Sequence, residues 1–253
     1  MFDSIKTRLI GRRAYTRHIN GNQLIEKGEL EEGRQKHLEA LELYEQALQS
    51  GHCETQVLMA YAVLLMRFDQ CEKAKQILLE CEKRKDLDAK SRKQLRVDFA
   101  VCQWKLGDLD KAIENMEMAA SSGRTSAIYG TLGYFYIEKG RQTGDFTQAI
   151  AFNDEAMQYD EEDAAILDNM GQLHYFMGDP DKAYEYFSKA YAAKPSQVAT
   201  LYYIAKINLE RKNYEKAQAF IDRCVEGNFS ALATVTREQA KALQDEIRLA
   251  AQA

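Results

Sequence analysis

A chain of 253 residues, 45% of them hydrophobic and only two of them proline, is long enough for one or two ordinary domains or for one extended repeat array. A formal net charge of −5 argues against a global basic surface able to hold a nucleic-acid backbone. Five cysteines (Cys53, Cys71, Cys81, Cys102 and Cys224) are odd in number and form no CxxC pair, which predicts reduced, buried thiols in a cytoplasmic protein rather than a disulfide framework.

The first twenty residues carry Lys6, Arg8, Arg12, Arg13 and Arg17 against Asp3 alone, with Ile5, Leu9 and Ile10 among them. An N-terminal cap or solvated tail is the expected reading of this basic segment, 1–20. The alternative is a weak contact with an anionic membrane surface through residues 2–17. No apolar run suits a signal peptide, and the longest, Val57 to Met66, is about half of a membrane span.

A helical period begins at Gly21 and divides the chain into six units, 21–54, 55–88, 93–125, 126–163, 164–197 and 198–231. One register places small residues in three columns. The first reads Gly28, Ala62, Ala100, Gly133, Gly171, Ala205 and the second Ala40, Ala74, Ala112, Ala149, Ala183, Ala217. The third reads Ala47, Cys81, Ala119, Ala156, Ala190, Cys224. Small side chains let two helix backbones approach, so stacked hairpins need them wherever helices cross. Breakers fall between the two helices of each pair, at Phe68-Asp69-Gln70, Gly107-Asp108, Gly140 to Asp145, Gly178-Asp179 and Lys212-Asn213. Two stretches in excess of the period, Lys85 to Ser91 and Arg141 to Gly144, are expected as loops. Residues 232–253 predict a capping helix that begins near Thr234 to Thr236 and covers the last apolar face.

The unit 164–197 carries Leu167, Met170-Gly171, Gly178-Asp179, Ala183, Phe187, Ala190 and Pro195, and through these it resembles a tetratricopeptide repeat, a 34-residue helical hairpin. The resemblance implies an all-α, right-handed α-solenoid of about six such hairpins plus a C-terminal capping helix. It also implies a non-catalytic scaffold that binds a peptide or helix of a partner protein in a concave groove lined by the first helix of each pair. The outward places of those helices are Met59, Val63, Met66 and Arg67, then Val97, Val101, Trp104 and Lys105, then Tyr134 and Ile137. The later units add Asp168, Gln172, Tyr175 and Phe176, followed by Tyr202 and Lys206. A solvated face would be mostly charged, whereas tyrosine and tryptophan carry binding energy at interfaces. The alternative is that the same side chains pack internally, take up the chain's own termini, or make a homodimer.

The family subtype that clamps a chaperone's C-terminal carboxylate uses groove lysines and asparagines. Here those places hold Ile25, Met59, Val97, Gly130, Asp168 and Tyr202, so that ligand is not expected. No GxxxxGKS/T, GxGxxG, HExxH or GxSxG motif is present, and no His, Cys, Asp or Glu group has metal-ligand spacing. Catalysis, a cofactor, a metal and nucleic acid are therefore not expected. His18, His37, His52 and His174 are assigned packing or solvent roles.

Overall fold

Six of the helices begin where a short polar side chain takes up free N–H groups of the first turn. In the computed structural model, which describes residues 2–49, 53–230 and 232–252, Asp88 accepts from the Ser91 amide and Asp108 from that of Lys111. Asp163 accepts from Ala165 and Ile166, and Asp179 from Lys182, with Pro180 in the first helical position. Thirteen α-helices form among the described residues, which contain no strand.

The chain divides into two compact units, Met1–Ser122 and Gly123–Ala253. The first holds α1 (Phe2–Glu26), α2 (Leu30–Gln49), α3 (Thr55–Arg67), α4 (Cys71–Lys83), α5 (Ala89–Lys105) and α6 (Leu109–Ala120). The second holds α7 (Ser126–Thr143), α8 (Thr147–Tyr159), α9 (Ala164–Phe176), α10 (Pro180–Ala193), α11 (Val198–Glu210), α12 (Tyr214–Glu226) and α13 (Arg237–Ala250). Within each unit the odd-numbered helix of a hairpin packs on its partner and on the first helix of the next hairpin, α1 on α3 on α5 and α7 on α9 on α11. This is the hairpin stacking of the α-solenoid class.

Every hairpin turn contains one left-handed residue: Gly28, Asp69, Gly107, Gly144, Gly178 or Lys212. In five of them the next amide reaches back five residues, Glu29 to the Leu24 carbonyl, Gln70 to Leu65, Asp108 to Gln103, Asp179 to His174 and Asn213 to Asn208. Glycine adopts this conformation freely, while Asp69 and Lys212 do so at a cost of roughly 1–2 kcal/mol.

Five residues after each left-handed residue comes the small residue of the crossing. The sequence pattern shows it as Ala74, Ala112, Ala149, Ala183 and Ala217, all at most 1% exposed. The first hairpin departs from the expected register. Gly28 is an exposed turn residue with φ 88°, not a crossing point. Counting five on from it gives Gly33, and the facing glycine is Gly21, where an added Cβ would stand 2.9 Å from the Gly33 carbonyl oxygen. The true register of this hairpin differs from the expected one by seven residues. Ala40 and Ala47 are both fully buried and seven apart, so they satisfy the columns equally well in either register. As a result α1 runs through the supposed boundary at residue 20, and the basic segment forms most of it. The side chains of residues 1–8 lie outside the described residues, as does His52. Of the basic residues that are described, Arg12 pairs with Glu54 at 3.6 Å and Arg17 with Glu39 at 3.4 Å.

Two other expectations need correction. The excess residues Arg141 to Thr143 extend α7 as helix instead of forming a loop, with Gly144 ending it in the left-handed conformation. The third hairpin begins at Ala89, a turn before residue 93, because Asp88 supplies its cap.

The crossings tolerate almost no added volume. A Cβ on Gly171 would meet the Phe187 ring at 2.6 Å, and one on Gly133 would meet Asn153 Oδ1 at 2.5 Å. The five cysteines are free and buried, and the Cys81, Cys102 and Cys224 thiols, pushed up to about 12 chiefly by burial, stay protonated.

The first hairpin closes on α3 through an unusual cluster. His18 on α1 and His37 on α2 are buried with ring centroids 5.4 Å apart. Asn22 Oδ1 lies 2.7 Å from an Arg67 guanidinium nitrogen and 3.1 Å from His37 Nε2. Arg67 also lies 3.3 Å from His37 Nε2, and among the described residues no carboxylate pairs with it. Burial, reinforced by the neighbouring Arg67 charge, lowers His18 to about 3 and His37 to about 4 from the usual 6.5. Both rings are therefore neutral in the folded chain at pH 7.

Gly171→Ala, which forces the Phe187 ring to move, should cost about 1–3 kcal/mol in urea unfolding. The histidine cluster adds a dependence on pH. Below pH 6.5 the unfolded chain takes up protons on His18 and His37 that the folded chain refuses until near pH 4. Stability should therefore fall with pH in that window, by roughly 2 kcal/mol per ring at pH 5. In the double variant His18→Gln/His37→Gln the unfolding midpoint should lose most of this slope between pH 7 and pH 5, whatever its absolute stability.

Candidate functional site

The first helices of the hairpins build one face in each unit. In the first unit Met59, Met66 and Val101 are buried, whereas Val63, Val97 and Trp104 are half-buried. Arg67 is held by Asn22 and His37, and Lys105 reaches Asp69 at 3.1 Å. Nearby on α5, Asp98 is buried with a hydrogen bond from Gln94 at 2.9 Å, and desolvation pushes its carboxyl up to about 7. The accessible part of this face is therefore apolar and aromatic, with cations at its border.

In the second unit Tyr134 and Ile137 are buried, while Tyr175, Phe176, Tyr202 and Lys206 remain half-buried. The half-buried aromatics gather around Tyr203, which the sequence reading did not single out. Its ring lies 5.3 Å from Tyr175, 5.8 Å from Phe176 and 5.3 Å from Tyr202, and it stacks on Phe187 at 5.2 Å with an interplanar angle of 4°. Two cations sit over the outer rings. The Arg141 guanidinium is 4.1 Å from the Phe176 centroid, and Lys206 Nζ is 5.5 Å from that of Tyr175. The Tyr175 hydroxyl donates to Glu210 at 2.5 Å; burial, together with this partner, holds its pKa above the usual value. Arg141 was missed because the sequence placed it in a loop, and helix α7 carries it to this position.

Asp168 and Gln172 are buried beside the aromatic group. One Asp168 oxygen accepts from the Thr200 hydroxyl at 2.5 Å and the other from Gln172 Nε2 at 2.7 Å, yet burial still pushes the carboxyl up to about 6. Gln172 Nε2 also donates to Thr234, from the segment that follows α12, at 3.2 Å. The chain thus turns back over its own α9, through the segment before α13. Helix α13 itself packs on α12 and α11. It begins with a capping box between Thr236 and Gln239. His174, on the other side of α9, stacks on Tyr186 at 5.4 Å.

Among the described residues no group of three or more His, Cys, Asp or Glu is placed to hold a metal ion, and no helix is long and apolar enough to cross a membrane.

Residues 177–228 match the profile of the tetratricopeptide repeat family. A thermophilic tetratricopeptide repeat protein from Thermus thermophilus shares the fold with a TM-score of 0.64 at 19% identity, over 78% of this chain and 100% of its own. The PilF structure from Pseudomonas aeruginosa has a TM-score of 0.54 at 20% identity, over 78% of this chain and 95% of that one. A chain of the APC/C hetero-tetramer Cut9-Hcn1 has a TM-score of 0.60 at 13% identity, over 92% of this chain and 46% of that one. No curated protein sequence matches this chain significantly.

Tyr203 holds the aromatic group together from beneath. Tyr203→Ala should cost about 3–5 kcal/mol and remove much of the near-ultraviolet circular dichroism while leaving the helical far-ultraviolet signal at low temperature.

Proposed function

We propose, on the premise that this chain is built of tetratricopeptide repeats, that it is a cytoplasmic, non-catalytic scaffold that binds a segment of a partner protein on the first-helix faces of its hairpins. The single observation that carries this reading is the half-buried aromatic group of Tyr175, Phe176 and Tyr202 beside Lys206 and Arg141. Rings whose inner edges are fixed by Tyr203 lose little conformational entropy on binding, which is what makes aromatic side chains effective anchors. Trp104 and Val97 offer a similar, smaller surface in the first unit.

The partner is expected to supply apolar anchors with acidic residues next to them, because Lys206 and Arg141 border the rings. Met66, Ile137 and Asp168 have at most 3% exposure and support the surface from below, while Gln172, also buried, is covered by the chain's own Thr234. The Cut9-Hcn1 neighbour is a member of a hetero-tetramer, which agrees with a role in assembly.

The test is affinity capture from a lysate of the source cells, quantified by mass spectrometry, with wild type, Trp104→Ala, Tyr175→Ala and a control, Tyr159→Ala, whose ring is 51% exposed on α8. A specific partner should be lost at least tenfold with Tyr175→Ala and retained with Tyr159→Ala. Capture that ignores both Trp104 and Tyr175 contradicts the proposal.

A further inference from the structure

We propose that the α9 face of the second unit is a peptide site now occupied by the chain's own segment 228–236. Its external ligand would be a non-helical segment of a partner protein carrying Asn or Gln, followed by an apolar residue, in the places of Thr234 and Val235. The proposal rests on the reading of the first-helix faces as partner surfaces and names what one of them accepts.

Three observations support it. First, the described residues of 228–236 are neither helix nor strand, yet they are not loose. Val235 is 3% exposed in the core formed with α11, α12 and α13, and Phe229 packs against the same cluster beneath the Arg237 guanidinium. Second, Thr234 passes over its own neighbourhood to reach Gln172, 62 residues earlier on α9. Among its described residues the segment turns once, with the Ala233 amide donating to the Ser230 carbonyl at 3.1 Å, and then packs on α9 and α11 outside the hairpin pattern.

Third, the fit is incomplete at one atom. Gln172 has no exposed surface, and both hydrogens of its Nε2 have acceptors, Asp168 and Thr234. An ionised Asp168 only accepts, which fixes the orientation of the Gln172 amide. The Gln172 Oε1 atom is then buried with no donor. A threonine hydroxyl at this place accepts from Nε2 and leaves Oε1 unsatisfied, a state that native proteins avoid. A side-chain amide carries an acceptor and two donors, so it can serve both atoms of Gln172. At this atom the resident segment fits less well than an amide-bearing ligand would.

The experiment uses two fluorophore-labelled peptides, residues 227–237 in the native sequence and the same peptide with Thr234→Gln. Each is titrated with three full-length proteins: wild type, Val235→Asp, and Val235→Asp/Gln172→Leu. Val235→Asp removes the apolar anchor of the resident segment. Should that variant not fold by circular dichroism, Val235→Thr, nearly isosteric, takes its place.

The native peptide should bind the anchor-deficient protein at least tenfold more tightly than wild type. The Thr234→Gln peptide should bind it more tightly again, and Gln172→Leu should abolish the difference between the two peptides. Equal binding of the native peptide to wild type and to the anchor-deficient protein, or binding to neither, overturns the proposal. A failure here with capture still dependent on Tyr175 leaves the scaffold reading standing. Peptide binding with capture indifferent to Tyr175 and Trp104 does the reverse.

Discussion

The structure depends on how closely two helix backbones can approach at the centre of each hairpin. A left-handed residue ends the first helix, and the small residue five positions later is buried between the two helices. The two features are coupled, because the turn sets the phase at which the second helix leaves. In the first hairpin the tolerance is set by backbone, since a carbon added to Gly21 would stand 2.9 Å from the Gly33 carbonyl oxygen, and in the fifth Gly171 makes room for the Phe187 ring, 2.6 Å from an added carbon. Once the backbones are that close, the long side chains of both helices are directed to neighbouring hairpins, and stacking buries them.

The same constraint explains what the sequence revealed and what it concealed. Five of the six crossings were legible because alanine or glycine recurs at a fixed distance on both helices. The first hairpin was misread because Ala40 and Ala47, seven apart on one helical face, make a register and its seven-residue slip look alike. The deciding signal was Gly28, whose place five residues before Gly33 matches Gly178 before Ala183. Arg141 was placed in a loop because extra residues in a repeat are usually looped, whereas here they extend α7 and bring a guanidinium over Phe176. The segment 228–236 has no period to read, so its contact with Gln172 could come only from the three-dimensional structure.

Outward position on a first helix turned out to be a weak guide to exposure. Met59, Met66, Val101, Tyr134 and Ile137 are covered, because adjacent first helices pack against each other and shade much of that face. What stays accessible is a subset rich in aromatic rings. The buried polar residues form two groups of opposite character. Among the described residues, Arg67 in the first unit is a cation without a carboxylate partner, and Asp168 in the second is a carboxylate without a cation partner. Each has amide, hydroxyl or imidazole partners, although Arg67 Nε has none, and each ties together helices from different hairpins. Such groups cost stability to bury and in return restrict which partners fit.

Backbone approach at the small-residue crossings, rather than general hydrophobic burial, determines the fold. The most direct test is equilibrium urea unfolding of Ala183→Leu and Ala217→Leu, two substitutions that add apolar volume at positions with 0% exposure. Each should lower stability by about 1–3 kcal/mol or more, because the added carbons force the helices apart. Stability unchanged within about 0.5 kcal/mol for both variants would contradict the dependence on close approach.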